Sequence, residues 1–162
     1  MFIKNKYAVI GFPVFLVVAI IIGAIIFSIF TIAIINIHKE SQKNLVRTEL
    51  EKITSEAENM FEYANNGSLV TINIDLPSSL KFVVFGSNPK NGLSKPVDLT
   101  LDDDVSNCYY FVMDDGTIKT YKSNARFCGK SFDEIKILYP GSYNLKLELL
   151  QHGGKTFVKI YK

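Results

Sequence analysis

Few residues in this chain are of the types that do chemistry. Histidine occurs twice, at His38 and His152. His38 borders a long apolar run and His152 precedes Gly153-Gly154, so both read as solvated surface side chains without a nucleophile at usable spacing. No G-x-S-x-G, phosphate-binding glycine loop or H-E-x-x-H is present. Asp102-Asp103-Asp104, with Asp114 and Asp115 further on, offers carboxylates for a calcium ion. It lacks the alternating ligand spacing and following glycine of a calcium loop, and reads as a solvated turn. Cys108 and Cys128 form no C-x-x-C pair and have no histidine nearby, which leaves a zinc site short of ligands. Two cysteines in a domain facing an oxidising exterior read as a disulfide; two small buried apolar side chains are the alternative. Asn66-Gly67-Ser68 matches the N-glycosylation acceptor pattern. No acid, base and nucleophile set can be assembled, so the sequence predicts no enzyme, no cofactor and no metal.

The elements that position these residues begin with an apolar run. Residues 7–37 contain no Asp, Glu, Lys, Arg or His. A helix of that length reaches roughly 46 Å, against a hydrocarbon core of about 30 Å. The run is too long for a secretory h-region and has no A-x-A site, so it reads as an uncleaved single-pass anchor. Pro13 is near its start, and Gly23-Ala24 has no turn residues beside it, which argues against a helical hairpin. Gly23 is either a close-packing spot for another helix or a tolerated glycine. The net charge of +2 comes from Lys4 and Lys6, since the rest of the chain is balanced. A neutral remainder with only two arginines carries no electrostatic footprint for nucleic acid. The expected topology is an N-terminus inside and a C-terminal domain outside, because long C-terminal domains translocate largely regardless of flanking charge.

Beyond His38 the helical pattern continues. Val46, Leu50, Ile53, Ala57, Met60 and Ala64 form a stripe spaced 4, 3, 4, 3, 4, widened by Phe61. The remaining faces are charged, and Lys52 and Glu56 are expected to pair. The stripe either packs on the domain's own sheet or forms a self-assembling coiled coil. Asn65-Asn66-Gly67 stops the helix.

After Gly67 the period becomes two. Strands are expected over residues 70–76, 80–85, 97–101, 108–113, 118–122, 135–138, 143–149 and 157–161. The 80–85 strand is apolar on both faces except at Lys81 and reads as central. Asp114-Asp115-Gly116-Thr117 predicts a hairpin, and a two-residue Asp115-Gly116 turn would set Tyr110 opposite Tyr121. Seven or eight short strands at regular spacing read as a β sandwich.

The layout is a long N-terminal helix, apolar and then amphipathic, ending in a β domain. This resembles type IV pilin-like proteins, and more closely their archaeal relatives, whose head is an immunoglobulin-like sandwich. The resemblance implies a leader cut after Gly11, with Phe12 as the new first residue, and a helix that packs with other helices in a filament core. The fifth mature position is Leu16 where the family carries glutamate, and Ile10 precedes Gly11 where a basic residue is usual. The resemblance is therefore one of layout. An uncleaved accessory subunit of the cell envelope shares it.

The sequence thus predicts an α+β protein. Its parts are a cytoplasmic N-terminus (1–6), a transmembrane helix (7–37), an amphipathic stalk helix (38–66) and an antiparallel immunoglobulin-like β-sandwich (67–162). Its expected partners are the membrane and other pilin-like helices or copies of itself, with no nucleic acid. The alternative is a monomeric membrane-anchored extracellular binding module.

Overall fold

The computed structural model describes residues 8–89, 101–102 and 104–162. The expected cytoplasmic N-terminus, the expected strand over 97–101 apart from Leu101, and Asp103 of the acidic turn lie outside these residues. The chain divides into two compact units, Met1–Ser41 and Gln42–Lys162. One helix, α1 (Ala8–Tyr63), runs through 56 residues and contributes to both. Pro13 falls close to its start, where few upstream carbonyls lose a donor. At the other end, Ala64 N–H donates to Met60 O at 3.0 Å, and Gly67 takes a positive φ of 86°. That left-handed conformation, open to glycine without a Cβ penalty, turns the chain out of the helix.

Among its described residues the second unit adds eight strands: β1 (Leu69–Leu76), β2 (Leu80–Phe85), β3 (Cys108–Met113), β4 (Ile118–Lys122), β5 (Phe127–Cys128), β6 (Lys136–Leu138), β7 (Gly141–His152) and β8 (Lys155–Tyr161). They form two four-stranded sheets, ordered β1-β7-β8-β5 and β4-β3-β2-β6. Pairing among these eight strands is antiparallel except for the short parallel contact of β5 with β8. β2 is central, between β3 and β6, as its apolar faces require. Lys81, its one exposed residue, sits where the β2–β3 register shifts. The extra residue points the lysine outward while Leu80, Val83 and Phe85 all reach the core.

Two expectations about pairing are corrected. Tyr121 pairs with Tyr109, and Tyr110 with Thr120. Counted inside the hydrogen-bonded Met113–Thr117 pair, the loop between β3 and β4 is three residues, 114–116, not two. Met113 N–H donates to Thr117 O at 2.9 Å, Gly116 N–H to Met113 O at 3.0 Å, and Gly116 has φ 82°. Three-residue hairpins place a left-handed residue last, and only glycine takes that place freely. The longer loop shifts the register by one, so Tyr110 moves to the opposite face of the sheet. Tyr109 and Tyr121 stack instead, with centroids 5.3 Å apart. The second correction concerns Lys52, which pairs with Glu49 at 2.6 Å and not with Glu56.

Both sheets and the helix share one core. Val46, Leu50, Ile53, Ala57 and Met60 of α1 are buried among Ile74, Leu145, Leu147 and Ile160 of one sheet and Val83, Phe85 and Phe111 of the other. Ala64 and Phe61 are partly buried against the same cluster. At about 2 kcal/mol per buried large apolar side chain, Val46, Leu50, Ile53 and Met60 contribute roughly 8 kcal/mol. That is comparable to the whole net stability of a typical domain, about 5–15 kcal/mol. The segment expected as a stalk is thus a wall of the domain from Gln42 onward, and its stripe is used up within the chain.

The outer face of the second sheet holds a smaller buried cluster. Phe82, Val84, Tyr110 and Val112 form it, with Ile135 and Ile137 packed alongside.

Candidate functional site

The most extended exposed apolar surface among the described residues is that of α1 in the first unit. Every large apolar side chain described there is exposed, from 47% at Val18 to 81% at Phe15. Mean hydropathy over the best window reaches 3.0, with none of it buried. The two hydroxyls on this stretch are satisfied internally: Ser28 Oγ donates to Ala24 O at 2.8 Å and Thr31 Oγ1 to Phe27 O at 2.9 Å. A helix whose backbone and hydroxyls need no outside partner, and whose surface is apolar on every side apart from Asn36 near its end, is compatible with hydrocarbon. It is long and apolar enough to cross a membrane. A Cβ added at Gly23 would meet nothing within 4 Å, so the glycine leaves open surface. Gly11 and Phe12, the expected cleavage pair, both lie within α1.

In the second unit a line of polar ties fastens α1 to both sheets. Ser79 Oγ donates to Gln42 Oε1 at 3.0 Å. Lys43 Nζ lies 3.6 Å from Asp115 Oδ2. Asp75 N–H donates to Glu49 Oε2 at 3.1 Å, and Lys52 Nζ to Glu49 Oε1 at 2.6 Å. Ser123 Oγ and Asn124 N–H both donate to Glu58 Oε1, at 2.7 and 3.0 Å. One flank of the helix therefore meets β1, the outer strand of one sheet, while Lys43 and Glu58 meet the loops at the two ends of β4, the outer strand of the other. Sequence reasoning passed over Glu49 and Glu58. Their only signal is position, each being adjacent in sequence to a stripe residue, Leu50 and Ala57. Asp115 is held below the usual carboxylate range by its hydrogen bonds to Thr117, helped by Lys43. Between α1 and the β1–β7 pair lies an open groove of about 460 Å³, lined by Glu49, Lys52, Asn73, Asp75, Ser142 and Asn144 among others.

The cysteines are both free and buried. Cys108 is on β3 and Cys128 on β5, so they belong to different sheets. Burial pushes the Cys128 thiol up to about 11, which removes thiolate character at neutral pH. The arrangement is that of small buried side chains. Tyr109 is raised by burial, against the opposing effect of its hydrogen bond with Thr54. Tyr110 is raised by burial alone, and its hydroxyl has no hydrogen-bond partner among the described residues.

The remaining chemistry-bearing residues do not converge. His38 is exposed on α1. His152 ends β7 and stacks on Phe132 at 4.3 Å. Asp102 Oδ1 accepts Asp104 N–H at 3.2 Å, a local turn contact. Among the described residues no three of His, Cys, Asp and Glu come together as metal ligands. No protein family, curated protein or solved structure matches the chain.

Proposed function

We propose that the chain is a single-pass membrane-anchored, pilin-like structural or accessory subunit of the cell envelope, with the β domain outside and the N-terminus in the cytoplasm. The carrying observation is that α1 serves both units. Its residues 14–37 carry no charged side chain and expose every large apolar one, while the stripe from Val46 to Met60 is buried in the β domain. A module merely tethered to a membrane can be carried on a flexible linker between anchor and domain. Here one helix supplies both, which suits a subunit whose anchors pack against neighbouring helices. The head is read within this proposal as an immunoglobulin-like sandwich with α1 as an added wall. Mass spectrometry of the N-terminus tests the processed form: a mature chain beginning at Phe12 supports it, and an uncut Gly11–Phe12 bond leaves only the accessory subunit. Cysteine crosslinking at Ile25 and Ile29 tests assembly, because helix neighbours give crosslinked dimers and lipid neighbours do not.

The second reading is a monomeric anchored binding module. The groove along α1 and β1–β7 favours it, since its amide and carboxylate side chains offer donors and acceptors to a polar ligand. A strictly monomeric chain with ligand-dependent melting would decide for this reading.

A further inference from the structure

We infer that Asn66 is a site of N-linked glycosylation, an inference that rests on the head facing outward. Asn66-Gly67-Ser68 is the one N-x-S/T tripeptide in the 162 residues. It occupies the turn between the end of α1 at Tyr63 and the start of β1 at Leu69. Asn66 and Gly67 are both exposed, and a Cβ built on Gly67 would meet nothing within 4 Å. A bulky substituent therefore has room.

The orientation of the amide is set by its partner. Gln151 N–H donates to Asn66 Oδ1 at 3.1 Å. Only the oxygen end can accept that proton, so the nitrogen end is directed away from it. Nδ2, the atom to which a glycan attaches, makes no hydrogen bond among the described residues. The backbone beneath is pinned independently. Gly67 N–H donates to Leu149 O at 2.7 Å, Leu149 N–H to Ser68 O at 2.9 Å, and Ser68 N–H to Asn65 O at 3.0 Å. Substituting Nδ2 breaks none of these. Asn65, adjacent and also exposed, lacks the hydroxyl residue two positions on and is an internal control.

The donor is a polyisoprenyl phosphate-linked oligosaccharide, acted on by a membrane oligosaccharyltransferase. A bond forms between Nδ2 and C1 of the first sugar. The bond from C1 to the phosphate oxygen breaks, and the polyisoprenyl phosphate leaves with the electron pair. The proton lost from Nδ2 passes to a base of the transferase.

The test uses the full chain isolated from the membranes of cells that naturally make it. Trypsin releases residues 53–81 as one peptide, and fragmentation by mass spectrometry locates any added mass. The expected result is a glycan on Asn66 that persists in S68T and N65Q and is lost in N66Q and S68A. S68A leaves the Asn66–Gln151 bond intact, so its loss of glycan reports acceptor function and not folding. Protease treatment of intact cells runs in parallel. A digested head with unmodified Asn66 overturns the glycosylation site alone. A protected head with unmodified Asn66 overturns both the site and the outward orientation on which it rests.

Discussion

The carboxylate of Glu49 accepts the backbone N–H of Asp75 at 3.1 Å, joining the helix to a strand 26 residues further on. Asp75 is on β1, which among the described residues pairs only with β7, so this N–H faces the edge those residues leave open. By alternation the N–H groups of Thr71 and Asn73 face the same way. Glu49 thus closes one end of an edge that carries no lysine or proline to discourage pairing with a foreign strand. A hydrogen bond to a charged group contributes about 1.5–3 kcal/mol. Glu49→Ala is expected to lower unfolding free energy by about 2 kcal/mol, and Glu49→Gln by less because its carbonyl can still accept. Denaturant titration of the full chain in detergent micelles measures both. An unchanged midpoint in Glu49→Ala would mean that the bond is not formed.

The buried stripe makes a prediction about where the chain can be cut. A fragment spanning Gln42–Lys162 keeps every helix residue in the shared core and is expected to unfold cooperatively in water. A fragment beginning at Ser68 loses Val46, Leu50, Ile53 and Met60 and is expected to bind ANS and lose near-UV circular dichroism. Single substitutions grade the effect. Leu50→Ala, at 1% exposure, should cost about 2–5 kcal/mol, whereas Leu45→Ala, at 44%, should cost little. Equal losses would place the stripe outside the core.

Much of this architecture is legible in the sequence because it depends on local periodicity. The apolar surface of α1 follows from composition alone, and the inward rows Val70, Ile72, Ile74, Leu76 and Tyr143, Leu145, Leu147, Leu149 follow from alternation. What was illegible depends on distant partners. β5 is two residues long, and its parallel pairing with β8 leaves no periodic trace. The β3–β4 register turns on whether Asp114 belongs to the strand or the loop, which the tetrapeptide alone leaves open. Glu49 and Glu58 look like ordinary solvated helix charges until Asp75, Ser123 and Asn124 fold back upon them. The cysteines could be read either as a bridge or as packing, because spacing in sequence says nothing of which sheet each one joins.

Two glycines with similar backbone angles should respond differently to alanine. Gly116 has φ 82° in the hairpin loop, with nothing within 4 Å of a built Cβ. Gly116→Ala should cost only the left-handed penalty, about 1 kcal/mol. Gly86 has φ 87°, and a Cβ there would lie 2.6 Å from Leu101 Cδ1 and 3.0 Å from Phe127 O. Gly86→Ala adds crowding to the same penalty and should cost about 3 kcal/mol. Thermal melts of the two variants against the parent chain separate the contributions.

Tyr110 is 1% exposed, and its hydroxyl has no partner among the described residues. An unsatisfied buried hydroxyl costs about 1–3 kcal/mol. Tyr110→Phe removes it while keeping the ring against Phe82, whose centroid lies 6.4 Å away. Stability is expected to stay level or rise by about 1 kcal/mol. A clear loss would reveal a hydrogen bond that the hydroxyl makes elsewhere.

Cys128 predicts a fall in stability in base. Burial raises its thiol from an ordinary 9.0 to about 11 in the folded chain. Between these values the unfolded chain has already released a proton that the folded chain retains, so unfolding gains ground as pH rises. No penalty exists below pH 9. It grows by about 1.4 kcal/mol per pH unit above that, to roughly 3 kcal/mol near pH 11. Tyr109 and Tyr110, also raised by burial, steepen the loss above pH 10. Cys128→Ala shifts absolute stability through its lost volume, so the slope is the quantity to compare. Denaturant midpoints at pH 8, 9, 10 and 11 should fall more gently in Cys128→Ala than in the parent between pH 9 and 10. Iodoacetamide at pH 8 should leave both buried cysteines unmodified in the folded chain and alkylate both in denaturant. Parallel slopes together with rapid native labelling would place Cys128 at the surface.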